Sequence, residues 1–147
     1  MGEGRHYYCK KCGYTFEADL GIGYMYPAVY HDTMESARSG RFGDAIKTFL
    51  AAHPDGVIDP QNVAVRCTEC GNLELVQDLS MYLPKDPGKV STADYVMDFR
   101  DYTLVQKYQH KCSQCGSSMT VLKGKNLNNL KCPHCGEQLS EKQIMWD

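Results

Sequence analysis

Apolar residues recur at helical intervals in one stretch of this chain and at strand intervals in most of the others. After Pro27, Tyr30, Met34 and Ala37 stand at i, i+4 and i+7, a single stripe that Pro27 can open and Ser39-Gly40 can stop. Phe42, Ile46, Phe49 and Leu50 mark a second helical face that ends near the turn sequence "HPDG" at His53. The two stripes predict a helical hairpin over about residues 27–53. Elsewhere the period is two. Val63, Val65 and Cys67 alternate, and "NLELV", "SMYL" and "YTLVQKYQHKC" read as strands. "SMTVL" after Gly116 is a further short strand, and Lys123-Gly124-Lys125 can turn the chain back through Leu127 and Leu130. "PKDPGK" reads as an exposed turn, and "TADYVMDF" as the start of a short helix capped by Thr92 or Asp94. No apolar run approaches the 18 or so residues of a membrane-crossing helix.

Cysteine changes this picture most. The eight cysteines form four C-x-x-C pairs, Cys9/Cys12, Cys67/Cys70, Cys112/Cys115 and Cys132/Cys135, each followed by glycine. The start "MGEGRHYYCKKCG" lacks the apolar stretch of a secretory signal, so a cytoplasmic, reducing location is expected. There a disulfide framework would not persist. Four dithiols with the same trailing glycine are the pattern of tetrathiolate metal knuckles. The glycine supplies the positive φ at which the knuckle turns. "CPHC" at Cys132 also matches the active-site tetrapeptide of some thiol oxidases, but no thioredoxin-like strand–helix unit surrounds it and a second C-x-x-C stands 16 residues upstream. All eight cysteines are therefore expected as metal-bound thiolates.

Four knuckles can pair in three ways. Loop closure favours local pairing, which joins Cys9, Cys12, Cys67 and Cys70 across 54 residues and Cys112, Cys115, Cys132 and Cys135 across 16. The second set, with Met119, Val121, Leu127 and Leu130 as a small core, resembles a zinc ribbon. "YYCKKCGYTFEADLG" resembles the first knuckle of rubredoxins, and "VAVRCTECGNLELV" can supply the second, although a rubredoxin has a shorter intervening loop. The resemblance implies a small metal-stabilised α+β protein of two rubredoxin-like zinc ribbons, the first carrying the helical hairpin packed on it. The expected division is 1–83, a connecting segment 84–102, and 103–147. It further implies two Zn2+, with iron as a rival at the first site.

Charge bears on partners. The formal net charge is −2, and eight thiolates with two divalent ions would bring it to about −6, which argues against indiscriminate nucleic-acid binding. Residues 102–136, however, hold five lysines (Lys107, Lys111, Lys123, Lys125 and Lys131) and no acid, and Tyr108 and His110 beside them offer stacking. The plainer reading is that these lysines offset thiolate charge. His31 and Glu35 share a helical face with Asp32 between them, without an evident third ligand, and no phosphate loop or nucleophile elbow occurs. Closed four-sulfur sites leave no position for catalysis. The expectation is a non-enzymatic protein-interaction or adaptor module; the alternatives are a nucleic-acid-binding module through the basic C-terminal ribbon and a rubredoxin-like iron electron carrier.

Overall fold

The computed structural model describes the chain except Met1, Tyr24, residues 88–94, Met97 and Asp147. The strands are β1 (Gly2–Tyr8), β2 (Thr15–Gly21), β3 (Val57–Ile58), β4 (Asn62–Cys67), β5 (Leu73–Gln77), β6 (Met81–Pro84), β7 (Tyr102–Gln106), β8 (Met119–Leu122) and β9 (Ser140–Trp146); the helices are α1 (Tyr26–Ser39) and α2 (Asp44–Ala52). This is a mixed α and β architecture with two compact units. One comprises Met1–Gly23, Asn62–Gln77 and Gln109–Asp147, the other Tyr24–Gln61 and Asp78–Tyr108. These units interleave stretches that the sequence reading takes in succession, and the first of them contains all eight cysteines.

In the first unit an antiparallel sheet runs β5-β4-β2-β1-β9, with β8 also on β4. Strand β4 lies between β5 and β8, and β2 pairs with it where Gly21 faces Asn62, the Asn62 side chain donating to the Asp19 carbonyl at 3.0 Å. Strand alternation sends Tyr7, Phe16, Ala18, Ala64 and Leu73 into a core completed by Leu122, Leu127, Leu130 and Leu139. The opposite face of β4 buries Val65 and Cys67 against Met119, with Val63, Val76 and Val121 around them. The predicted alternation of Val63, Val65 and Cys67 is observed. The predicted core of Met119, Val121, Leu127 and Leu130 is split instead: the first two pack on one side of β4 and the last two join the other core.

Strands β1 and β9 have no counterpart among the sequence expectations. They pair over their full length, from Gly2 opposite Trp146 to Tyr8 opposite Ser140. Gly4 is required by this pairing, because a Cβ there would lie 2.5 Å from Cγ1 of Ile144. Tyr7, 2% exposed, donates its hydroxyl to the Leu127 carbonyl at 2.7 Å and so ties β1 to the chain before the last knuckle.

The second unit holds the helices. Pro27 lies in the first turn of α1, and Gly40 ends it in the left-handed conformation, its N–H bonded to the Ala37 carbonyl and that of Arg41 to Ser36. The first predicted stripe faces inward through Tyr30, Met34 and Ala37, whereas of the second only Ile46 and Leu50 are buried in α2: Phe49 is half-buried and Phe42 precedes the helix, which starts at Asp44. The two helices pack on each other, and Met34 Sδ accepts the Ile58 N–H of β3 at 3.4 Å. Strands β3, β6 and β7 form the second sheet in that order. Thus "YTLVQ" pairs with β6 rather than leading into a ribbon. The turn expected at 84–89 and the short helix with its Thr92 or Asp94 cap lie partly or wholly outside the described residues. Among the described residues no helix is long and apolar enough to cross a membrane.

Replacing Tyr7 by Phe strands the buried Leu127 carbonyl while leaving the ring packed. The expected loss is about 1–3 kcal/mol, seen as a lower urea midpoint at unchanged slope. An unshifted midpoint would show that the hydroxyl does not tie β1 to this segment.

Candidate metal centres

All four C-x-x-C-G stretches adopt one backbone knuckle. The N–H of the first cysteine bonds the carbonyl five residues on (Tyr14, Asn72, Ser117 and Glu137), and the glycine N–H bonds back to the carbonyl of that cysteine, at 2.7–3.2 Å throughout. Gly13, Gly71, Gly116 and Gly136 have φ between +75° and +80°, so a side chain there would be strained. The turn aims amides at the first sulfur. Cys67 Sγ accepts the N–H groups of Glu69 and Cys70, Cys112 Sγ that of Gln114, and Cys132 Sγ that of His134, each at 3.4 Å.

The knuckles meet in two groups of four cysteines, each able to hold a metal ion: Cys9, Cys12, Cys132 and Cys135, and Cys67, Cys70, Cys112 and Cys115. The pairing expected from the sequence is therefore wrong; each centre takes one knuckle from each expected set. The closest sulfur contacts cross between knuckles: Cys9 to Cys135 at 3.4 Å, Cys12 to Cys132 at 3.5 Å, Cys67 to Cys115 at 3.4 Å and Cys70 to Cys112 at 3.6 Å. A disulfide needs about 2.05 Å. Four sulfurs at about 2.3 Å from one ion stand about 3.8 Å apart at tetrahedral angles, so the spacing fits a tetrathiolate cage that tightens slightly without its ion.

Register explains the grouping. Cys9 and Cys67 each turn a hairpin, β1 to β2 and β4 to β5, in which the residue before the first cysteine faces the one six beyond it: Tyr8 faces Thr15, and Arg66 faces Leu73. The other two knuckles close on single bridges, Lys111 to Ser118 and Lys131 to Gln138, and then feed β8 and β9. Strand β8 lies on β4 with Met119 opposite Cys67, and β9 lies on β1 with Ser140 opposite Tyr8. Both registers bring the seventh residue after the knuckle's first cysteine (Met119 and Leu139) to the level of the hairpin's first cysteine. The same three-strand, two-knuckle arrangement thus occurs twice, one copy nested in sequence within the other. A signal was present in "HKCSQCGSSM" and "LKCPHCGEQL", which share lysine before the first cysteine and a buried residue seven after it. Two knuckles of one type do not complete a site; each centre needs one of each.

Side chains bridge the knuckles of each centre. In the outer one Tyr14 meets His134 edge to face at 4.8 Å, and Lys11 lies 3.6 Å from Glu137. In the inner one Glu74 accepts the Ser113 N–H at 3.1 Å, Asn72 reaches Cys112 Sγ at 3.8 Å, and Thr68 donates to the Ser118 carbonyl. None of these bridging residues was singled out from the sequence as a bridge, since they lie across pairings it does not reveal.

The thiols of each group pull one another's pKa values apart. Cys9 is lowered to about 7, first by the Cys12 amide, and Cys115 to about 6, first by the Ser117 hydroxyl. Cys70 and Cys135 are pushed up to about 12: the Asn72 and Glu137 amides favour their thiolates, but burial and the neighbouring thiols outweigh that. Four negative charges cannot share so small a volume, so protons take the place of the ion and must leave when it binds.

The other candidates are scattered. Lys107, Lys111, Lys123, Lys125 and Lys131 are all exposed, Lys107 in the second unit and the other four in the first. His110 is buried and offers no face for stacking. His31, Asp32 and Glu35 are exposed on α1. No protein-family model, curated protein or solved structure matches this chain.

Double substitution tests the grouping. Cys9→Ser with Cys132→Ser should lose one bound ion and keep the other, whereas Cys9→Ser with Cys67→Ser should lose both. If the double variants do not fold, mild oxidation of the metal-free wild type should give Cys9–Cys135 and Cys12–Cys132 linkages by mass spectrometry; Cys9–Cys67 linkage would refute the grouping.

Affinity should also depend on pH with a definite sign. As pH falls through about 7 and then 6, Cys9 and Cys115 take up protons that compete with the ion, so affinity drops and its pH dependence steepens. A chelator-competition titration from pH 8 to 5 measures this, and a flat profile would contradict thiolate ligation.

Proposed function

We propose that the protein is a non-enzymatic double zinc-ribbon protein whose two Zn2+ ions are structural and whose role is protein interaction, as an adaptor or scaffold module. The observation that carries this reading is closure: each candidate centre offers four sulfurs on paired knuckles, which completes a tetrahedral shell and leaves no position for substrate or water. Each repeat would be one ribbon, Cys9, Cys12, Cys132 and Cys135 holding the outer ion and Cys67, Cys70, Cys112 and Cys115 the inner. Zinc is favoured over iron by exposure. Cys12, Cys70 and Cys115 are exposed and Cys135 half-buried, whereas a reversible redox iron gains from a shell that excludes water. Nucleic acid is the weaker alternative, since the lysines that would carry it are spread over two units and the expected stacking residue His110 is buried.

Purified protein should be colourless with two zinc ions per chain by elemental analysis. Capture from lysate should recover a protein partner that survives nuclease treatment. A red protein bleached by dithionite would make the outer centre an electron carrier, and loss of the captured material on nuclease treatment would move the reading to nucleic acid.

A further inference from the structure

Among the described residues strand β7 is paired on one side only, by β6. Its residues after Tyr102 are all exposed, and two consecutive ones, Leu104 and Val105, are large and apolar at 40% and 49% exposure. An open strand edge with apolar side chains is a template for another strand, and proteins that stay monomeric usually blunt it with charge along the edge. Here the charges stand at the ends instead. Asp101 precedes β7 and Lys107 follows it, both exposed and neither in a close ion pair among the described residues; the neighbouring Arg100, which Asp101 also attracts, is held by Asp98 at 2.6 Å.

The segment Asp101–Lys107 is complementary to itself in one orientation. Laid antiparallel on a second copy about Leu104, it sets Asp101 opposite Lys107 twice, Tyr102 opposite Gln106, Thr103 opposite Val105 and Leu104 opposite Leu104. A parallel arrangement would set Asp101 on Asp101 and Lys107 on Lys107. This charge pattern asks for a second copy of the chain rather than an unrelated strand. We propose that β7 is a self-association surface through which two copies form a two-fold dimer, joining their three-stranded sheets as β3-β6-β7-β7-β6-β3. Such a contact is isologous and closes on itself, so it gives dimers and not fibres. The register irregularity between β6 and β7 near Met81 and Tyr82 shortens the regular ladder. Association of one short strand pair therefore falls in the weak class, with a dissociation constant on the order of tens of micromolar. The proposal goes beyond the metal reading and does not depend on which ion the centres hold.

Sedimentation equilibrium of the full chain up to about 500 µM should show a monomer–dimer equilibrium of that strength. Leu104→Lys should abolish the dimer while helical circular dichroism and metal content stay at wild-type values. Asp101→Lys replaces two attractions by two repulsions and should weaken association about tenfold. Adding Lys107→Asp to that variant restores opposite charges in the reversed sense and should recover the wild-type constant. A chain monomeric throughout the range, a dimer indifferent to Leu104→Lys, or a charge reversal that fails to recover association would each overturn the proposal. Metal content and fold are read independently, so these outcomes leave the zinc reading to its own test.

Discussion

Four sulfurs can hold an ion only where they meet, and in this chain they come from knuckles separated by 119 residues in the outer candidate centre and 41 in the inner. Everything else in the first unit follows from meeting that demand. The unit is small, its cores lean on Ala18, Ala64 and a few leucines and valines, and burial alone would leave it marginal. A tetrathiolate ion contributes roughly 10–16 kcal/mol in small peptides, as much as the whole stability of an ordinary domain. The sheet is the frame that delivers the knuckles, and an ion held in each group would fasten it.

Chain-closure entropy could not choose the pairing. Joining knuckles 119 and 41 residues apart instead of 54 and 16 costs only about 1.5 kcal/mol more, because the penalty grows with the logarithm of loop length. That is a small fraction of what one tetrathiolate ion can supply. Strand register therefore decides. The register that sets Tyr8 opposite Ser140 places the last knuckle beside the first, and Met119 opposite Cys67 does the same for the inner centre. Because Ala64, Leu73 and Leu122 of the inner repeat share a core with Tyr7, Phe16 and Leu139 of the outer, the two cysteine groups belong to one body.

What was legible in the sequence was local. Pro27, Gly40 and the stripe between them define α1 within a residue or two, since caps and periodicity act over a single turn. The eight ligands and the knuckle glycines were legible for the same reason: one tetrapeptide and one positive φ carry the information. The partner of each knuckle was not, because pairing is a property of strands far apart in sequence. Strand β1 conceals itself further. Gly2 and Gly4 depress strand propensity, yet Gly4 is what lets Ile144 cross the ladder. A residue that argues against a strand locally is required by its neighbour 140 residues away.

The nested order also explains how the chain accommodates the second unit. It leaves the first unit after Gly23 and returns at Asn62, then leaves after Gln77 and returns at Gln109. Gly21 faces Asn62 in the sheet, and Asn62 faces Gln77. Strand pairing therefore holds the first departure and its return side by side and sets the second departure next to them. The second return is fixed differently: Gln109, three residues before Cys112, donates its side-chain amide to the His110 and Met119 carbonyls as the chain re-enters. A knuckle frame built this way can carry the first insertion at strand ends remote from the sulfurs, which sit at the opposite ends of β1 and β4. Helices and metal can then occupy one chain while answering to different parts of it.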